Sequence, residues 1–172
     1  MTEIVRIYTQ IALLRRGPQD LPASLPLLVL TVVGYLAVNS LASILLPPED
    51  HWRGPLIADT AFTLVWYVAL LKVVGRPERV LQTVSAVFGF QAVLAPLLIA
   101  SEWLMRRFAE NPSGQLIVTA LGLVLLAWLI AANSLVVKSA LEWSRSASVA
   151  LVILQMLVGW AVVFALFAPA KP

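Results

Sequence analysis

Cysteine is absent from the 172-residue chain, which removes disulfide frameworks, thiolate zinc sites, iron–sulfur ligation and c-type haem attachment together. Histidine occurs once, at His51, and charged residues make up only 12% of the sequence. Soluble domains carry about a quarter, so this chain lacks the polar side chains to cover a globule. The familiar catalytic signatures are missing as well: no G-x-S-x-G elbow, no H-E-x-x-H, no phosphate-cradling loop ending in Gly-Lys-Ser/Thr and no G-x-G-x-x-G. Glu49, Asp50 and His51 adjoin in one loop, but catalytic zinc draws on three ligands fixed by rigid elements. The sequence therefore predicts no catalytic residue, no cofactor and no metal site. The net charge of +3 does not gather into a stripe. Its basic residues stand as singles and pairs beside apolar segments, the pattern of topology signals rather than of a nucleic-acid surface.

What the chain has in abundance is apolar residues: 60% of the total, at a mean hydropathy of +0.91. They form runs of about 20 residues, the length that carries a helix across a bilayer. Alternating dyads of the outer-membrane barrel type are absent. The expected fold is an all-α membrane protein, a bundle of five transmembrane helices over about 25–46, 55–74, 80–100, 115–136 and 147–168. A short amphipathic segment, 1–19, precedes this 20–172 domain. In it Ile4, Ile7, Tyr8, Ile11 and Leu14 recur at helical spacing, with Glu3, Arg6 and Gln10 elsewhere on the wheel. Such a helix lies on the membrane surface; the alternative is that it packs as the start of the domain. No small-residue cleavage pattern marks it as a removed signal.

Helix punctuation places the boundaries. Ser24 with Pro26 reads as an N-cap with proline in the first turn, and Pro55 as a second first-turn proline. Gly75-Arg76-Pro77-Glu78-Arg79 reads as a tight hairpin. Residues 101–114 read as the longest loop, with Trp103, Leu104 and Phe108 at the interface, and Lys138 to Arg145 as a connection. Pro96 predicts a kink in the third span. Trp52, Trp103 and Trp143 fall where interfacial anchors belong, while Trp66, Trp128 and Trp160 fall within spans as packing residues. The basic residues divide eight to four: Arg6, Arg15, Arg16, Lys72, Arg76, Arg79, Lys138 and Arg145 against Arg53, Arg106, Arg107 and Lys171. That bias puts the amino terminus in the cytoplasm and the carboxy terminus in the periplasm of a bacterial inner membrane.

Ionisable groups inside spans are costly and mark function by default. Asp59 is the one that stands within a span, with Thr63 four residues on. Uncharged polar residues are scattered over the other spans: Asn39, Ser43, Gln82, Gln91, Asn133 and Gln155. Their commonest role is a hydrogen bond between helices, and a solute path is the second reading. Gly54, Pro55 and Pro96 carry structural expectations.

Two stretches carry a resemblance. Asp50-His51-Trp52-Arg53-Gly54-Pro55-Leu56 is similar to an acidic-x-x-x-Gly-Pro element, and Gly75-Arg76-Pro77 leading into Leu81-Gln82-Thr83-Val84 is similar to a polar hairpin with a Gln-Thr helix start. Both elements resemble those of bacterial members of the Yip1-domain family, and the likeness extends over about 20–168. It implies five spans, a non-enzymatic role in membrane organisation, and a structural part for Gly54 and Pro55. The leading expectation is a non-catalytic accessory, assembly or membrane-organising subunit. Its partners are the lipid bilayer and, through helix–helix contacts, another membrane protein or further copies of itself. The alternative is transport of a small solute, proton or lipid through Asp59 and the intramembrane Gln and Asn residues. A lipid-directed enzyme using Glu49, Asp50, His51 and Glu102 ranks third.

Overall fold

A computed structural model describes residues 2–41 and 53–167. Ser43, the Glu49–Asp50–His51 loop, Trp52 and Lys171, all singled out above, lie outside the described residues. The elements are α1 (Thr2–Ala12), α2 (Leu25–Ser40), α3 (Arg53–Val73), α4 (Val80–Arg107), α5 (Pro112–Leu141) and α6 (Arg145–Phe167), with 3-10 turns at Pro18–Asp20 and Pro77–Arg79. No strand occurs among the described residues. The four helices from α3 to α6 are long and apolar enough to cross a membrane, and α2 is a shorter apolar helix.

Local chemistry sets the ends. Ser24 accepts a hydrogen bond from the Leu27 N–H at 3.4 Å, and Pro26 occupies the first turn of α2. Gly75 closes α3 at φ 76°, while the Arg76 N–H reaches back to the Leu71 carbonyl at 2.7 Å. That left-handed conformation suits a residue without a β-carbon.

Two expected connections are shorter than the sequence reading had them. The segment 101–114 is not a long loop, because α4 continues to Arg107 and α5 already starts at Pro112. No breaker interrupts Ser101–Arg107, and a helix satisfies its own backbone on either side of a lipid boundary. Glu102 and Arg106 add an ion pair one turn apart at 2.7 Å. The restart comes at Asn111, whose side chain accepts from the Gly114 N–H at 3.1 Å ahead of Pro112. Lys138 to Leu141 likewise belongs to α5, which at 30 residues is about 45 Å long, well beyond the hydrocarbon thickness of about 30 Å. In the third span, α4 runs through Pro96 without interruption.

The central helix is α4. Of its apolar window 61% is buried, against 11–22% for α3, α5 and α6. Packed around it are α1, α2, α3 and α5, while α6 closes the ring between α3 and α5. α2 and α4 point the same way: Leu21 ahead of α2 meets Gln82 near the start of α4, and Tyr35 packs edge-on against Phe88. The α3–α4 turn, the α5–α6 turn and the segment after α1 meet at one end of the bundle, so Arg15, Arg16, Lys72, Arg76, Arg79, Lys138 and Arg145 fall there, and it is called the basic end below. Large apolar side chains on α5 and α6, among them Leu116, Ile117, Leu123, Val124, Leu157 and Phe164, face outward. Trp160 does too, at 76% exposure; it is a surface residue of the bundle and not the packing residue expected. Outward faces of this kind match a lipid solvent, in which helices associate by close packing and not by apolar transfer.

The amphipathic α1 sits against the bundle. Ile7, Tyr8, Ile11 and Ala12 are buried. Gly89 of α4 leaves room for the Tyr8 ring, which any β-carbon there would strike. The Tyr8 hydroxyl pairs with Thr31 Oγ1 at 2.6 Å, and Trp128 Nε1–H donates to the Ala12 carbonyl at 2.7 Å. Glu3 and Arg6 lie exposed on the opposite face. Gly54 has a comparable packing role, since it lets the start of α3 meet the Phe167 ring at the end of α6.

Candidate functional site

The polar residues of the spans converge. A cavity of about 190 Å³ lies between the helices. From α2 it receives Tyr35 and Asn39, from α3 Asp59, Phe62 and Thr63, from α4 Gln91, from α5 Asn133, and from α6 Gln155. Ala95, Leu98, Leu129, Met156 and Gly159 complete its wall. Helix geometry explains the convergence. Tyr35 and Asn39 are four apart on α2, as are Asp59 and Thr63 on α3, so each pair stacks on one face. Gly159 admits the Phe62 ring between α3 and α6, which brings those helices close.

Just below the cavity, toward the basic end, Tyr67 is completely buried. Its hydroxyl lies 2.8 Å from Asn133 Oδ1 and 2.7 Å from Gln155 Oε1. A phenol has one proton, so it donates to one amide at a time. The node ties α3, α5 and α6 together and fixes two of the cavity's amides. Asn39 is held by its own helix, its Nδ2 donating to the Tyr35 carbonyl at 2.8 Å. Asp59 differs from all of these. Among the described residues its carboxylate forms no hydrogen bond and no ion pair, and no Lys, Arg or His lines the cavity.

Chemically the arrangement offers one carboxylate, amide oxygens and hydroxyls around a small space, with a partly apolar wall. A carboxylate so placed needs its charge neutralised by a proton or a bound cation. Among the described residues no group of three or more His, Cys, Asp or Glu is placed to hold a metal ion, so the cavity has no acidic cage for a multivalent ion.

Six of the residues read from the sequence thus meet in one place: Asp59, Thr63, Asn39, Gln91, Asn133 and Gln155. Gln82 lies elsewhere, its Nε2 donating to the Leu21 carbonyl at 2.7 Å near the basic end. Tyr35 and Tyr67 were not anticipated. Their signal was present, because Tyr67 extends the Asp59–Thr63 stripe by another four residues and Tyr35 precedes Asn39 by four.

A second polar cluster stands at the basic end. Glu142 follows α5 at φ 59° and ψ 33°, and its carboxylate takes Arg76 and Arg79 at 2.7 Å each. Arg79 also donates to the Ser139 and Ala140 carbonyls at 3.0 Å, capping α5 with a cation where the helix dipole favours one. The hydrogen bonds from Arg76 and Arg79 hold the Glu142 carboxyl down at about 2 from its usual 4.5. No family model, no curated protein and no solved structure matches this chain.

Proposed function

We propose that the chain is a five-span protein of a bacterial cytoplasmic membrane that binds and passes a proton or small monovalent cation through Asp59. The fifth span is α2, whose 16 residues give about 24 Å of helix. This keeps the five-span frame implied by the Yip1-domain resemblance and puts the basic end in the cytoplasm. The observation that carries the reading is the Asp59 carboxylate, without a partner among the described residues, in a cavity to which α2 through α6 all contribute. A single charge selects a single opposite charge, and the surrounding amides and hydroxyls replace part of a cation's hydration.

The test is flux into liposomes containing the purified protein. Under an imposed membrane potential, the wild type is expected to admit protons, read by an enclosed pH dye, or methylammonium or sodium, read as uptake. Asp59→Asn is expected to abolish the flux while folding normally. Equal flux in both proteins, or none in the wild type, overturns the proposal.

A second reading, the accessory or assembly subunit, has its own observation. Glu3 and Arg6 are exposed on α1 alongside the middle of α4, where Gly89 receives Tyr8. Plain hydrocarbon does not suit that face, whereas a polar surface on another membrane protein or a second copy does. Native mass spectrometry separates the two readings, since only the second requires an assembly that Glu3→Ala with Arg6→Ala dissolves.

A further inference from the structure

We propose that the groove between α5 and α6 at the basic end is a binding site for a phospholipid with a negatively charged headgroup. The groove encloses about 330 Å³. Its bed is apolar, formed by Ile130, Ala131 and Leu135 of α5 and Val149 of α6. Ser134 also lines it, but that hydroxyl is already spent on the Ile130 carbonyl of its own helix at 2.6 Å. At the mouth stand Lys138 and Arg145, both exposed. From Ile130 to Lys138 the bed runs about 12 Å along the helix, most of the depth of one leaflet's hydrocarbon.

The charge at the mouth is uncompensated. Lys138 and Arg145 form no ion pair within the described residues. Glu142, the acid that stands between them in sequence, is taken twice over by Arg76 and Arg79. Arg15 and Arg16, exposed, follow Leu14, which itself lines the groove. A basic pocket between helices at the headgroup level, opening above an apolar bed, matches an anionic phospholipid in both of its parts.

The backbone at Leu14 is a second, independent sign. Leu14 closes α1 at φ 61°, a conformation that costs an ordinary side chain about 1 kcal/mol or more and is usually given to glycine. The Arg15 N–H returns to the Gln10 carbonyl at 2.8 Å, and Trp128 fixes the Ala12 carbonyl. Together these contacts hold an apolar side chain against the groove, with Arg15 and Arg16 next in the chain. Strained backbone of this kind is found where a particular side chain has to be presented. The site lies on the outer flank of the bundle and does not depend on what the Asp59 cavity carries.

The experiment measures lipid binding by native mass spectrometry and thermal stabilisation of the detergent-solubilised protein. Phosphatidylglycerol is compared with phosphatidylcholine of the same chains. The wild type is expected to retain phosphatidylglycerol preferentially and to be stabilised by it. Lys138→Ala with Arg145→Ala is expected to lower its affinity about thirtyfold, from about fivefold per basic residue near a headgroup. Both positions are exposed, so the variant keeps its fold, which its melting temperature without lipid verifies. Equal binding of the two lipids overturns the proposal. So does an equal loss in Lys72→Ala, which would make the preference a property of the whole basic end, or equal stabilisation by inorganic phosphate, which would leave an anion site without a lipid.

Discussion

Asp59 and Glu142 are the same chemical group put to opposite uses. Glu142 stands in water at the basic end, grips two arginines at 2.7 Å and joins the α3–α4 turn to the α5–α6 turn. Asp59 faces a cavity inside the bundle and has no such partner among the described residues. Water makes the first pair weak and the carboxylate cheap to expose, whereas withdrawal from bulk water makes the second carboxylate costly and leaves it seeking charge. The contrast distinguishes the acid that holds the chain together from the acid open to a ligand. Two of the cavity's amides, Asn133 and Gln155, are fixed by Tyr67 and not by Asp59.

The largest effect is expected at the layer that separates the two acids. Tyr67→Leu removes the hydroxyl shared by Asn133 and Gln155 and leaves two buried amides short of a partner, together with a void. The expected loss of stability is about 2–4 kcal/mol, from the unsatisfied polar groups and the missing ring, measured by denaturation in detergent. Tyr67→Phe keeps the ring and is expected to cost less, about 1–2 kcal/mol. If both variants are as stable as the wild type, the cavity floor is not organised by Tyr67.

Next in size is Asp59→Asn, whose sign is the informative part. A half-buried carboxylate with no partner among the described residues is held at a desolvation cost, so replacing it by a neutral amide of the same shape is expected to leave stability unchanged or raise it by about 1 kcal/mol. Thermal unfolding at neutral pH checks this. A loss of stability would mean that Asp59 is paired after all, and the contrast with Glu142 would collapse.

The sequence made much of this architecture legible because membrane helices advertise themselves by length and hydropathy. Ser24 with Pro26, and Gly75, marked ends through chemistry local to a few residues. Extents failed where the signal was polarity in place of backbone chemistry: Trp103 to Arg107 and Lys138 to Leu141 look like loops, yet a helix that leaves the lipid has no reason to stop there. The Asn111-Pro112 pair did carry a start signal, and it is the one the structure uses. The polar candidates stand out by residue type alone, but the convergence of six of them on one cavity depends on how α2 through α6 are arranged about each other, and no spacing within one helix encodes that. Tyr67 was passed over because tyrosine fits an apolar face as readily as a polar one.

Smallest is the expected effect of Glu142→Gln, and its pH dependence sharpens the comparison further. The arginines hold the Glu142 carboxyl at about 2, below the ordinary 4.5. A depressed carboxyl contributes stability that is complete above the ordinary value and disappears as the pH falls through that window toward 2. The wild type is therefore expected to melt slightly higher than Glu142→Gln at pH 6, with the gap closing as the pH is lowered from about 5 to 2. Because the pair is fully solvated, added salt should shrink the gap at pH 6 in the same way. A gap that ignores both pH and salt would mean that Glu142 matters for its left-handed backbone at φ 59° and not for its charge. Glu142→Gly, which relaxes that backbone while removing the carboxylate, would then melt higher than Glu142→Gln.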